Sequence, residues 1–212
     1  MLMNYKTEMN RVAARLKKPL PGLAAQELMT GRVLPMPPDI PADARPSAVL
    51  LLIFPKDGAL HLLFIRRTED GKAHGGQISF PGGRQEPFDA DLSATALREA
   101  QEEVGIVSGD VEMLGALTSL YIPVSKFIVY PYLGFASGPP AYNTSVDEVA
   151  EVLEIPLKHL FDTKNKIVTT VRPSSRPDMK LTVPAYSLTD GSFIWGATAM
   201  ILSELEVIMG DM

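Results

Sequence analysis

Apolar residues recur at helical spacing over residues 7–18, where Met9, Val12, Ala13 and Leu16 share one face until Pro19 and Pro21 stop the helix. Pro35, Pro37, Pro38, Pro41 and Pro46 crowd the next stretch, which reads as an extended connector. Residues 47–54 are almost continuously apolar between Pro46 and Pro55, the pattern of a strand buried on both faces. A Lys56-Asp57-Gly58 turn leads to a returning strand at 60–66, which gives a hairpin. Residues 71–83 are glycine-rich and end in the sharp Phe80-Pro81-Gly82-Gly83 turn. The next helix is the best defined in the chain. It covers residues 92–104, with Asp91 placed to cap its start, Leu92, Ala96 and Ala100 along one face, and Gly105 suited to the C′ position. Strand patterns follow at 113–121, 127–135, 167–171 and 181–186, with a short helix at 156–161 and a terminal one at 198–205. This order predicts an α+β fold in which a mixed sheet lies between helices.

The chain has 212 residues, 46% of them hydrophobic and 21% charged, enough for one sizeable core. We expect residues 1–46, the helix and its proline-rich connector, to belong to the same unit as the domain at 47–212. Cysteine is absent, which excludes a disulfide framework, Cys-ligated zinc, thiolate-held iron–sulfur clusters and a Cys nucleophile. The three histidines, His61, His74 and His159, form no HExxH pattern, so a histidine-held zinc is not expected. A net charge of −5 argues against sequence-independent nucleic-acid binding, which needs a basic footprint. No apolar run reaches the roughly 18–20 residues of a membrane span. Lys6, Arg11, Arg15, Lys17 and Lys18 are not followed by the apolar core of a secretory signal, so the expected location is cytoplasmic.

The helix at 92–104 carries the chemistry. Glu99, Glu102 and Glu103 stand at i, i+3 and i+4, so their carboxylates share a face. At ~6 Å and an effective dielectric near 20, each pair repels by about 3 kcal/mol. A divalent cation reverses the sign of that interaction, and hard Mg²⁺ or Mn²⁺ prefers carboxylate oxygens. Taken alone, the same cluster reads better as a solvated acidic face with Arg98 as its counter-ion.

The surrounding residues change that balance. Gly83, five residues, Asp89, eight residues, then Arg98-Glu99-Ala100-Gln101-Glu102-Glu103-Val104-Gly105-Ile106 resembles the Nudix hydrolase signature. Aspartate stands where that signature has glutamate, and the following spacer is one residue longer, so either Asp89 or Glu86 takes the place of the first glutamate. Upstream, Leu62-Leu63-Phe64-Ile65-Arg66-Arg67 and the run from His74 through Gly75-Gly76-Gln77-Ile78-Ser79-Phe80-Pro81-Gly82-Gly83 look like the coenzyme A motif of the CoA-pyrophosphatase branch, with Phe64 and Arg67 in place of its Thr and Ser. The stretches 19–26, 147–152 and 194–199 are similar to the same branch.

The resemblance implies a Nudix fold with an N-terminal helical extension and a hydrolase that needs Mg²⁺ or Mn²⁺. It would cleave the diphosphate of CoA or an acyl-CoA to 3′,5′-ADP and 4′-phosphopantetheine or its acyl derivative. Glu99, Glu102 and Glu103 would be catalytic metal ligands, joined by a late glutamate, Glu148 in preference to Glu151, while Arg98 orients a glutamate. Arg66, His74 and the backbone of Gly82 and Gly83 would meet the substrate. Arg172 and Arg176, flanking Pro173, and Trp195 read as a solvated loop and a core residue. The expected partner is a small CoA-like diphosphate, with no nucleic acid and no membrane, and homodimerisation is left open. The rival readings are a Nudix hydrolase of ADP-ribose or another nucleoside diphosphate derivative, and a non-catalytic binding module of the same fold.

Overall fold

A computed structural model describes residues 2–30, 41–69, 75–172 and 178–210. Helix α1 (Leu2–Leu16) and the short α2 (Leu23–Gln26) precede a hairpin of β1 (Arg45–Lys56) and β2 (Ala59–Arg67). Asp57 and Gly58 turn it with positive φ, 49° and 78°, the hand that suits a two-residue hairpin loop. Short strands β3 (Ile78–Ser79) and β4 (Gly82–Arg84) lead into α3 (Leu92–Val104), followed by β5 (Glu112–Ala116), β6 (Leu120–Ile122), β7 (Phe127–Phe135) and β8 (Val149–Pro156). The chain ends with α4 (Leu157–Leu160), β9 (Lys166–Val171), β10 (Leu181–Ser187), β11 (Phe193–Ile194) and α5 (Gly196–Gly210).

The main sheet has eight strands, with β1 at its centre; β9, β10 and β11 form a second sheet of three. β1 runs parallel to β7 from Arg45↔Phe127 to Ile53↔Phe135. It runs antiparallel to β2 at one end and to β4 at the other. The mixed character follows from those two directions of pairing on one strand. The apolar run of β1 is buried on both sides. Ala48, Leu50, Leu52 and Phe54 face α3, with its Ala96, Ala100 and Val104, whereas Leu51 and Ile53 join the core with Met9 and Val12 of α1 and Ile201, Leu202 and Leu205 of α5. A period of two sends alternate residues to opposite layers, so continuous hydrophobicity was needed.

The expected strand at 113–121 is two strands, parted at 117–119, where the Thr118 N–H and hydroxyl turn to Glu204; within β5 the register with β7 shifts beside Gly115. Strand β8 was not expected, and α5 is longer than the helix anticipated there. The proline-rich stretch at 31–40 lies outside the described residues. The N-terminal segment is bonded to the last helix through Glu204, which is fully buried. Its carboxylate accepts from Gly22 N–H at 3.1 Å, Gln26 Nε2 at 3.1 Å and the Thr118 hydroxyl at 2.6 Å, and the Ser203 hydroxyl donates to Ala25 O at 2.8 Å. Among the described residues, no helix is long and apolar enough to cross a membrane.

Candidate active site

Strand β4 and helix α3 form the site, and both are fixed by local chemistry. The Asp91 side chain accepts from Ala94 N–H at 2.8 Å and starts α3. Gly105 ends it in the left-handed region, φ 78°, and its N–H and that of Ile106 close onto Gln101 O and Ala100 O at 2.9 and 3.2 Å. Residues 143–148 then fold back over the helix end, with Asn143 and Ser145 N–H groups donating to Val104 O and Glu103 O. That return brings Glu148 to the same place as the helix carboxylates, where its charge acts on both Glu99 and Glu103.

Gly82 and Gly83 are required by closeness. A Cβ on Gly82 would lie 2.3 Å from Ala48 O, and one on Gly83 would lie 2.5 Å from the Glu99 carboxyl carbon. The Gly82 N–H donates to Glu103 Oε2 at 2.8 Å, so this amide serves the carboxylate cluster. Glu103 is 2% exposed, and its other oxygen meets Arg67 Nη1 at 3.4 Å. Burial pushes its carboxyl up to about 7, with the charges of Glu99 and Glu148 adding to the rise against Gly82 and Arg67. Burial also raises Glu99, opposed by Arg98 and reinforced by Glu102 and Glu148.

Arg98 organises the outer side of the cluster. Its Nε and Nη2 bind Asp89 in a fork at 2.8 and 3.0 Å, Nη1 reaches Glu99 and Glu102 at 2.9 and 2.8 Å, and Nη2 also donates to Arg84 O. Asp89 is buried and also accepts from the Thr95 hydroxyl and Glu86 N–H. The guanidinium first, then these hydrogen bonds, hold its carboxyl down at about 2. Of the two candidates for the first acidic position, Asp89 is therefore the one that grips Arg98.

The donor set suits a divalent cation, although among the described residues the side chains do not form a ready-made cage. Glu148 acts as a like charge on both Glu99 and Glu103, with Arg98 at 2.9 Å from Glu99 and Arg67 at 3.4 Å from Glu103 as the opposing cations, and this repulsion adds to the burial that raises Glu99 and Glu103. Glu99 and Glu102 turn to Arg98 as the cation nearest to them. All the available donors are hard oxygens, the preference of Mg²⁺ and Mn²⁺.

Of the expected substrate contacts, Gly82 and Gly83 line the cavity beside the cluster, and Arg66 does not. Arg66 is held by Glu151 at 2.9 Å, by Asp190 at 3.1 Å and by Ser192, tying β2 to β8 and to the β10–β11 turn. Engaged with Arg66, Glu151 leaves Glu148 as the late glutamate beside the cluster. His74 and Arg176 lie outside the described residues, and Arg172 is exposed. The arginine that the sequence reading missed is Arg67. It lines a cavity of about 540 Å³ that begins at Gly82 and Gly83 and extends along Gln77, Ser79 and Phe80 to the β6–β7 hairpin and the start of α5. Strand parity would have found it: odd positions Leu63 and Ile65 face α3, and Arg67 continues that side, whereas Arg66 shares the side of Leu62 and Phe64. Trp195, expected as core, is half-buried in the cavity wall.

The sequence profile of the NUDIX domain matches residues 44–174. NudL of Pectobacterium atrosepticum, named as an uncharacterized Nudix hydrolase, is 34% identical over 195 residues, 91% of this chain and 98% of the relative. The mouse peroxisomal coenzyme A diphosphatase NUDT7 is 38% identical over 112 residues, which cover 53% of this chain and 47% of the relative. Among solved structures, the Nudix hydrolase RenU of M. smegmatis superposes with a TM-score of 0.55 at 15% identity, covering 79% of this chain and 87% of its own. That likeness concerns the fold, whose mixed sheet between helices it shares. With its domain profile, its relatives and its carboxylate-bearing helix in agreement, the chain belongs to the Nudix hydrolase family and is a diphosphatase of that family.

Proposed function

We propose that the protein hydrolyses the diphosphate of CoA or a CoA thioester, with Mg²⁺ or Mn²⁺, to 3′,5′-ADP and 4′-phosphopantetheine or its acyl derivative. The observation that carries the reading is the path of residues 76–83. The segment that resembles a CoA motif forms the wall of the cavity and ends at the two glycines packed on β1 and Glu99. The similarity to the mouse coenzyme A diphosphatase supports the same substrate class.

Glu99, Glu102, Glu103 and Glu148 would hold the cation, which when bound supplies charge for the phosphate oxygens and lowers the pKa of a coordinated water. Arg98 keeps Glu99 and Glu102 oriented through its fork on Asp89. Arg67, between Glu103 and the cavity, offers its guanidinium to a phosphate oxygen. Water enters across one P–O bond of the diphosphate, and the displaced phosphate oxygen leaves with the other half. A hydrolysis screen over CoA, dephospho-CoA, ADP-ribose and nucleoside triphosphates tests the reading. Release of 4′-phosphopantetheine, lost with EDTA and restored by Mg²⁺ or Mn²⁺, is expected. Preference for ADP-ribose would discard the substrate, and turnover in the presence of EDTA would discard the metal.

A further inference from the structure

The cavity beside the glycine turn is more apolar than a nucleotide site requires. Its walls are built mainly by Val124, Phe127, Leu181, Trp195 and Ile201, together with Phe80, and Arg67 is the sole charged side chain among the described residues that line it. Two basic side chains lie close to its hairpin wall but do not line it. Arg45 donates to Ser125 O at 2.7 Å and lies over the Phe127 ring, and Lys126 pairs with Asp43. A 3′-phosphate placed beside Val124, Leu181 and Trp195 would lose its hydration, and among the described lining residues that wall has no cation to receive it. Ser47, Gln77, Ser125 and Thr198 add a few polar residues to the lining. A largely apolar wall with a few polar residues suits a chain that is mostly methylene with an occasional amide.

Resting on the CoA reading above, we propose that this cavity receives the pantetheine–thioester arm of the substrate. The 3′-phosphoadenosine half then lies outside it, and Val124 and Trp195 set the preference for acyl chain length. The acyl group extends between the β6–β7 hairpin and the start of α5. Val124 is 67% exposed at the hairpin tip, so a longer chain would cover it. CoA thioesters are the substrates, and free CoA fills the cavity only in part.

Steady-state kinetics with CoA, acetyl-CoA, octanoyl-CoA, dephospho-CoA and ADP-ribose test this in the wild type, Val124→Lys and Trp195→Ala. The wild type is expected to favour octanoyl-CoA over CoA in kcat/KM by about tenfold or more, since each buried methylene adds to binding. Val124→Lys, a surface change that leaves the core untouched, is expected to cut that ratio by about fivefold or more. Neither variant should alter the ratio of dephospho-CoA to CoA. Equal rates for CoA and octanoyl-CoA, or variants that weaken dephospho-CoA and ADP-ribose as much as octanoyl-CoA, would overturn the assignment while the CoA activity itself stands. Turnover of ADP-ribose with none of any CoA compound would overturn both.

Discussion

Arg98 and Glu102 divide the work of the cluster at the level of single side chains. Glu102 is more than half exposed and contacts only Arg98 among the contacts described above, so Glu102→Gln removes charge without disturbing the core. We expect kcat to fall by about a hundredfold or more, the scale of losing one electrostatic contributor, with an unchanged melting temperature. Equal turnover in the variant would remove Glu102 from the metal set. Asp89 has the opposite profile, being buried and committed to Arg98, Thr95 and Glu86 N–H. Asp89→Asn leaves the guanidinium without its forked partner and should cost about 3 kcal/mol of stability, measured by denaturant unfolding. The lowered pKa also fixes a pH dependence. The stabilisation by ionised Asp89 is complete above its usual value of 3.8 and disappears as pH falls through about 2. Acid titration of the wild type should therefore show a loss of stability in that window, and the variant should lack this component.

At the scale of elements, the two adjacent glycines of β4 should fail differently. Gly82 has φ +154° and a backbone oxygen in the path of any Cβ, so Gly82→Ala should unfold or strongly destabilise the domain. Gly83 is blocked only by the Glu99 side chain, which can move. Gly83→Ala should keep the fold, shown by an intact circular dichroism spectrum, and lose about tenfold or more in kcat as Glu99 is displaced. These elements also show what a sequence discloses. Helix α3 was readable to its ends because Asp91, the Ala96–Ala100 face and Gly105 each act within a few residues. Strand β8 was not, because Glu151 and Glu154 break its apolar pattern and find their partners, Arg66 and Lys56, on distant parts of the chain. The carboxylates were visible from their spacing on one helix. The cavity was invisible, because it is assembled from stretches near residues 47, 80, 125 and 198 that only the sheet brings together.

For the whole molecule, the decisive contact is the one that joins the two ends. Fully buried Glu204 takes up donors from Gly22, Gln26 and Thr118, so we place the N-terminal segment in the same cooperative unit as the catalytic domain. Glu204→Ala should cost about 3 kcal/mol, because buried donors are left without an acceptor. Deletion of residues 2–30 should lower the melting temperature as well; an unchanged midpoint would make the segment an independent appendage. The same carboxylate sets an order in time. On a ribosome every residue that receives Glu204 is made before it, and Glu204 is 182 positions after Gly22. The Gly22 N–H therefore waits for α5 before it meets this acceptor, while Gln26 can already donate to Thr118 O once that residue is made. Such a distant pairing slows folding relative to a chain with local contacts. Until α5 is made, Met9 and Val12 of α1 lack Ile201, Leu202 and Leu205, their partners in the core, and that uncovered apolar face is a natural place for a chaperone to hold the chain.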